Sequence, residues 1–183
     1  MSTFPLKFRP TVTWHKNPSG THFGATREAG YPVHGACDLI APAGTKVVAV
    51  RDGYIFRGPY QFATYYKDDK HTATTTTFAI EVAHDYYTIR YCEIAHKLAD
   101  GLAAGSFVAE GQEIATVGIQ HHSMLHFELF QDVWRRDYLT DRSHNIKYRY
   151  VPAADYERRN DLLNPTSLLD RLYAEAPDSF FKS

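Results

Sequence analysis

Several features are scarce in this chain of 183 residues, and each scarcity closes off a class of protein. There are only two cysteines, Cys37 and Cys92. Two cannot build a disulfide framework, so each reads as a thiol acting as a small buried hydrophobe. Charge of one sign is lacking too: 20 Lys and Arg stand against 21 Asp and Glu, for a formal net charge of −1. No basic surplus is available to hold nucleic acid or an anionic bilayer, and nucleic acid is not expected as a partner. No apolar run is long enough to span a membrane. The first ten residues, Met1 to Pro10, contain neither an apolar core nor a small-residue cleavage site, so a Sec signal peptide is not expected. Internal repeats and a linker-like stretch are also missing. A single domain over 1–183 is the expectation, at roughly 100–200 residues per domain.

What is present describes a folded globule. Hydrophobic residues make up 44% of the chain and aromatics 14%, with 13 Tyr and 11 Phe, enough to build a sizeable core. The apolar residues come in short runs between turn signals, the pattern of an antiparallel β core. A short edge strand is expected near Leu6 to Trp14, followed by a loop with a turn at Asn17-Pro18-Ser19-Gly20. From Asp38 to Phe56 the order reads strand, turn, strand, turn, strand, with turns at Pro42-Ala43-Gly44 and Arg51-Asp52-Gly53. Residues 57–77, with Tyr60, Tyr65 and Tyr66 and then charges and a Thr run, read as a polar hairpin tip or flexible loop. Phe78 to His84 and Tyr87 to Ile94 read as two antiparallel strands, and Glu113 to Gly118 as a third.

The segment Met124 to Phe130 alternates as a strand should, with His126 and Glu128 on one face and Leu125, Phe127 and Leu129 on the other. After Phe130 the composition shifts toward Arg, Asp and Tyr between Trp134 and Tyr150. The leucines at 168, 169 and 172 predict a helix starting at Pro165, capped by Asn164 and running to Ala174.

The chemistry concentrates around His34-Gly35-Ala36-Cys37-Asp38. Pro42 and Gly44 argue against a helix there, so the run reads as a loop carrying His34 into a strand carrying Asp38. Imidazole and carboxylate are both ligand types for Zn²⁺, and the best third ligand is His126. Taken singly, each piece is weak: the chain has ten histidines, and a histidine on a strand is usually just hydrogen-bonded or at the surface. Together, with the sequence between them, they are far more specific.

In order and spacing these pieces resemble the lysostaphin/LytM-type zinc endopeptidases that cut peptidoglycan. The resemblance begins near Phe23-Gly24 and includes His34 to Leu39, Gly44 to Gly53, Ile80 to His84, Gly111 to Gly118 and Leu125 to Leu129. It implies a mainly β fold, an antiparallel β-sheet core with a short C-terminal helix. The family-like core would span about 22–131, with 132–183 as a C-terminal extension. It also implies Zn²⁺ held by His34, Asp38 and His126, and peptidoglycan or its peptides as substrate. An Arg that commonly follows the Phe-Gly is matched approximately by Arg27.

The family's two further histidines, one in Tyr-x-His and one two positions before the last ligand, are replaced here. Those positions read Tyr91-Cys92-Glu93 and Met124-Leu125-His126. Strand parity puts Tyr91 and Glu93 on one face, and Met124 on the face of His126. Glu93 is then the candidate base or an extra ligand that closes the site. His122, with His121 and His96 beside it as candidates, would stand in for the second histidine. The expected activity is a zinc-dependent peptidoglycan endopeptidase. The alternative is an inactive zinc-binding module of the same fold that binds cell wall or regulates a partner hydrolase, and a third reading is a structural or immunity-type protein without metal. Without a Sec signal, the chain is expected to be cytoplasmic when made. It would act in the periplasm or cell wall after export by another route, such as a contractile secretion machine or phage lysis.

Overall fold

The computed structural model describes residues 2–26, 33–67, 69–70, 72–131 and 162–182. Arg27 and the Trp134–Tyr150 segment singled out above lie outside these residues. The strands are β1 (Cys37–Ile40), β2 (Lys46–Val48), β3 (Gly53–Tyr66), β4 (Thr74–Ala83), β5 (Thr88–Ile94), β6 (Phe107–Val108), β7 (Glu113–Thr116), β8 (Met124–Phe130) and β9 (Leu162–Leu163). One helix, α1 (Thr166–Glu175), and a 3-10 turn at Asp178–Lys182 follow. Every ladder pairs antiparallel: β1-β8-β5-β4-β3-β6 form one sheet, which β9 joins on β8, and β2 and β7 form a second. The fold is therefore mainly β with a short C-terminal helix, as the strand pattern implies.

Alternation assigns the two faces of the large sheet. Leu39, Ile80, Val82, Ile89, Tyr91, Leu125, Phe127 and Leu129 join one apolar cluster with Val47 and Ile114 of the small sheet and Leu169 and Leu172 of α1. The opposite face carries Asp38, Glu81, Arg90, His126 and Glu128. The side-chain period of two keeps these sets apart along each strand.

Three expectations are corrected. The Leu6–Trp14 segment is not a strand: it makes a single bridge, Leu6 to Val47. Pro5 and Pro10 offer no N–H to a ladder. The segment instead bonds piecemeal, with Lys7 N–H to Lys46 O, Val48 N–H to Pro5 O and Thr11 N–H to Ile40 O, while Phe4, Leu6 and Trp14 anchor it in the core. Residues 57–77 are not mainly loop. The aromatic and threonine residues suit a pleated surface, and pairing continues from Tyr60 opposite Ala79 to Tyr66 opposite Thr74, making a long hairpin. Lastly, α1 begins one residue later than expected, with Pro165 in the cap position. Asn164 Oδ1 still accepts the Thr166 N–H at 3.0 Å, although it stands one residue before the cap.

One more buried group bears on stability. His84 at the end of β4 is 4% exposed. It shares a 3.0 Å hydrogen bond from Nδ1 to the Asp52 carbonyl, which makes Nδ1 the donor. Its Nε2 is buried without a partner among the described residues. Burial lowers its pKa below the ordinary 6.5. The folded state thus holds His84 neutral while the unfolded chain takes up a proton. Its contribution is present above pH 6.5 and is lost as pH falls through the lowered folded value.

Two outcomes follow for the fold. Phe127 is fully buried, with its ring edge-on to Tyr91 at 5.8 Å. Phe127→Ala should lower the unfolding free energy by about 3–5 kcal/mol in denaturant melts; a loss under about 1 kcal/mol would mean the faces of β8 are reversed. For His84, the stability difference between the wild type and His84→Gln should narrow between pH 8 and pH 5. A constant difference across that range counts against the buried neutral imidazole.

Candidate metal centre

Residues from three separate places meet on the polar face. Asp38 in β1 stands directly opposite His126 in β8, so the pleat aims both side chains the same way. His34 reaches them from the loop before β1, whose backbone is tied down by His34 N–H to Ala25 O and Gly24 N–H to His34 O. Asp38 Oδ1 lies 2.8 Å from His126 Nδ1 and 3.1 Å from His34 Nε2, and the two nitrogens are 3.3 Å apart. All three residues are buried. Among the described residues they are the one group of three His, Cys, Asp or Glu whose ligand atoms converge, all within 4.8 Å of one another.

The donor set fits a tetrahedral cation. Two nitrogens and one oxygen around Zn²⁺ would lie about 3.3 Å apart at ordinary bond lengths. The far nitrogens are also accounted for. His34 Nδ1 bonds the His22 carbonyl at 2.8 Å, so it carries the proton and leaves Nε2 for the site. His126 Nε2 lies 3.3 Å from Glu128 Oε1, which leaves Nδ1 for the site. Outer partners of this kind set the tautomer of ligating histidines.

Electrostatics agree. Burial pushes the Asp38 carboxyl up, but hydrogen bonds from His126 and His34 outweigh it and hold the group well below the usual carboxylate range. Burial opposes a charge on His126, yet its bonds to Asp38 and Glu128 win and raise its pKa to about 10.

Glu93 reaches the polar face, but not by parity. Tyr91 faces the core, where its hydroxyl accepts the Val50 N–H at 3.0 Å. Cys92 stands opposite His126. On β4, Phe78 pairs with Ile94 and Ala79 with Cys92, so Glu93 is an extra residue, a β-bulge, with φ of +64°. The bulge returns Ile94 to the core and turns Glu93 toward the site. Gly118 is pressed against it: Gly118 N–H donates to Glu93 O at 2.8 Å, and a Cβ there would meet that same oxygen at 2.8 Å.

Both Glu93 oxygens have donors, Tyr65 Oη–H at 2.7 Å and Gln120 Nε2–H at 2.5 Å. Burial raises its pKa, while the nearby charge of His126 and the Tyr65 bond oppose the rise. Tyr65 is itself held as a phenol, its pKa raised by burial and by Glu93. Glu93 is not part of the converging three-residue group. The other candidate histidines, His122, His121 and His96, are not part of the converging group. His122 is exposed with its ring 3.9 Å from that of His121, which pairs with Asp69 at 2.8 Å. His96 is exposed against Phe78. Met124 is half-buried at the start of β8.

Sequence reasoning missed Tyr65 and Gln120 as partners of Glu93, and Phe62, whose ring lies 5.5 Å from that of His126. All three are distant in sequence from what they touch. The one hint was the set of tyrosines, Tyr60, Tyr65 and Tyr66, in the segment read as a polar hairpin tip or flexible loop.

The architecture and the His-Asp-His centre together define an antiparallel β-domain with a three-residue metal-binding geometry. The model for peptidase family M23 matches residues 32–138, more than half of the chain, and the protein belongs to this family. The family is one of peptidases. In fold it is similar to CbpA from L. salivarius REN, at 16% identity and a TM-score of 0.52 over 95% of this chain and 99% of that one. It is also similar to LytU, at 17% identity and 0.50 over 81% of each chain. A third likeness is to the antimicrobial peptidase lysostaphin from Staphylococcus simulans, at 15% identity and 0.50 over 94% of this chain and 57% of that one. The chain spans about a third of the length of the Helicobacter pylori Csd3 structures it also matches, 32% and 36%. No curated protein matches it.

The geometry makes a metal prediction. Purified protein supplied with zinc should hold about one equivalent by elemental analysis, and His126→Ala should lose it. Equal zinc content in the wild type and a His34→Ala/His126→Ala double variant would rule out these residues as ligands.

Proposed function

We propose that the chain is a zinc-dependent endopeptidase acting on the peptides of peptidoglycan. The observation that carries this reading is the buried convergence of His34 Nε2, Asp38 Oδ1 and His126 Nδ1, with a buried carboxylate, Glu93, beside it but outside the ligand group. Three protein ligands are the number that a catalytic zinc uses. When bound there, Zn²⁺ supplies Lewis acidity toward a peptide carbonyl and acidifies water.

The chain's own residues do the rest. Glu93 takes the proton of the attacking water and passes it to the leaving amine. Tyr65 and Gln120 fix its orientation, and the raised pKa brings the carboxyl closer to the working range of a proton carrier. Phe62 on β3 shields one side of His126 from water. His122, on the exposed turn before β8, is the candidate for stabilising the oxyanion that Met124 cannot stabilise. Peptidoglycan lies outside the cytoplasmic membrane, so this reading includes export of the protein.

One observation favours a second reading. Both oxygens of Glu93 are already engaged by donors, which suits a fixed structural carboxylate as well as a base. The chain would then be a zinc-binding module of the same fold without hydrolytic activity, binding the cell wall or a partner hydrolase.

Digestion of purified peptidoglycan, followed by chromatography of the released muropeptides, separates the two. In the first reading Glu93→Gln keeps its zinc and loses roughly two to four orders of magnitude in hydrolysis, the usual worth of a general base. Wild-type protein that is loaded with zinc yet releases nothing decides for the second.

A further inference from the structure

A buried row of charge runs across the large sheet behind the metal centre. Register places Glu81 of β4 opposite Arg90 of β5, and Arg90 opposite Glu128 of β8. The Glu81 and Glu128 side chains are 0% and 4% exposed, and that of Arg90 is 15% exposed. Arg90 Nε–H donates to Glu81 Oε1 at 3.1 Å, and Nη1–H donates to Glu128 Oε2 at 2.7 Å. The other Glu128 oxygen is the one that faces His126 Nε2 at 3.3 Å. The far end is fixed as well: the Tyr60 hydroxyl donates to Glu81 Oε1 at 2.8 Å, with Arg57 Nη1 at 3.4 Å. The Phe130 ring lies 5.0 Å from the Arg90 guanidinium carbon.

We propose that Arg90 is a positioning residue for the metal centre: it holds the Glu128 carboxylate oriented to accept the Nε2–H of His126, so that Nδ1 is the ligating nitrogen. This rests on the zinc reading given above. The physical argument has three steps. A neutral imidazole carries one proton, and the partner of one nitrogen decides which nitrogen remains free. Glu128 Oε1 can play that part only while its carboxylate is held in place, and its other oxygen, Oε2, accepts from Arg90 Nη1 at 2.7 Å. Arg90 holds it through a fork whose two arms are committed, one to each carboxylate, so Glu128 cannot swing away without breaking a buried ion pair. Glu81 in turn is bonded by Arg90 and, at 3.4 Å, by Arg57, so the two carboxylates and two guanidiniums compensate one another. Without Glu81, the guanidinium would stand as an added positive charge near the centre.

The test measures Zn²⁺ affinity of the full chain by competition with a coloured chelator, with the Co²⁺ absorption spectrum as a second readout. Zinc-free denaturant melts report separately on folding. Glu128→Gln and Arg90→Gln should each weaken zinc by roughly 10–100-fold, the usual worth of an outer partner. Arg90→Lys, which keeps the charge but not the fork, should lose less. Because Arg90 acts through Glu128, the double variant Arg90→Gln/Glu128→Gln should bind no more weakly than Glu128→Gln alone. If Arg90→Gln does not fold, Arg90→Lys carries the comparison, and its affinity should lie between the wild type and Glu128→Gln. Arg90 variants that bind zinc as the wild type does, or losses that add in the double variant, overturn the positioning role and leave the zinc reading standing. A folded wild type that takes up no zinc overturns both.

Discussion

The carboxylate of Asp38 is the point on which the rest of the structure depends. It is a charge in a place where charge is costly, and it is tolerated because two imidazoles face it within 3.1 Å. Holding those three groups together requires β1 to pair with β8 in one register and the preceding loop to fold back with His34. A shift of one residue in that ladder would turn Asp38 or His126 into the apolar cluster, where neither has a partner. The geometry of the site and the register of the sheet are therefore the same constraint.

The polar face extends that logic. Glu81, Arg90 and Glu128 are buried with charges that alternate in sign, so each is compensated by its neighbour on the next strand. Such an arrangement contributes little net stability compared with an apolar row, but removing one member strands the others. Its value lies in orientation, since Glu128 presents a defined oxygen to His126. The apolar face, with Tyr91, Phe127 and Leu125 packed against the small sheet and α1, supplies the stability on which this costly face rests.

The bulge at Glu93 is the other organising feature. A regular strand would have sent Glu93 into the core with Tyr91 and left Ile94 on the polar face. One extra residue reverses both. A left-handed φ at a non-glycine residue is strained, and the compensation is local: the Gly118 N–H bonds the Glu93 carbonyl, and Ile94 bridges Val117. Where the family resemblance leads one to look for a histidine, the chain puts a carboxylate on a bulge, held by two donors from elsewhere.

Much was legible in the sequence because it depends on spacing alone. The antiparallel β class, the faces of β8 and the C-terminal helix follow from local periodicity and turn residues, while the candidate ligand set was read from a family resemblance in ordered motifs that chain distance does not blur. The orientation of Glu93 was reached by an argument from strict alternation that fails at one bulge, and no residue in 91–94 signals that bulge by itself. Tyr65, Gln120 and the Arg90 fork were also invisible, because each is defined by which strand lies next to which. The sequence by itself determined which residue types were available to hold a cation and on what kind of element each sits. Only the tertiary structure decided which carboxylate stands beside the centre and which stands behind it. Strand order and register bring together side chains dozens of residues apart, and a period of two along one strand carries no information about its neighbour.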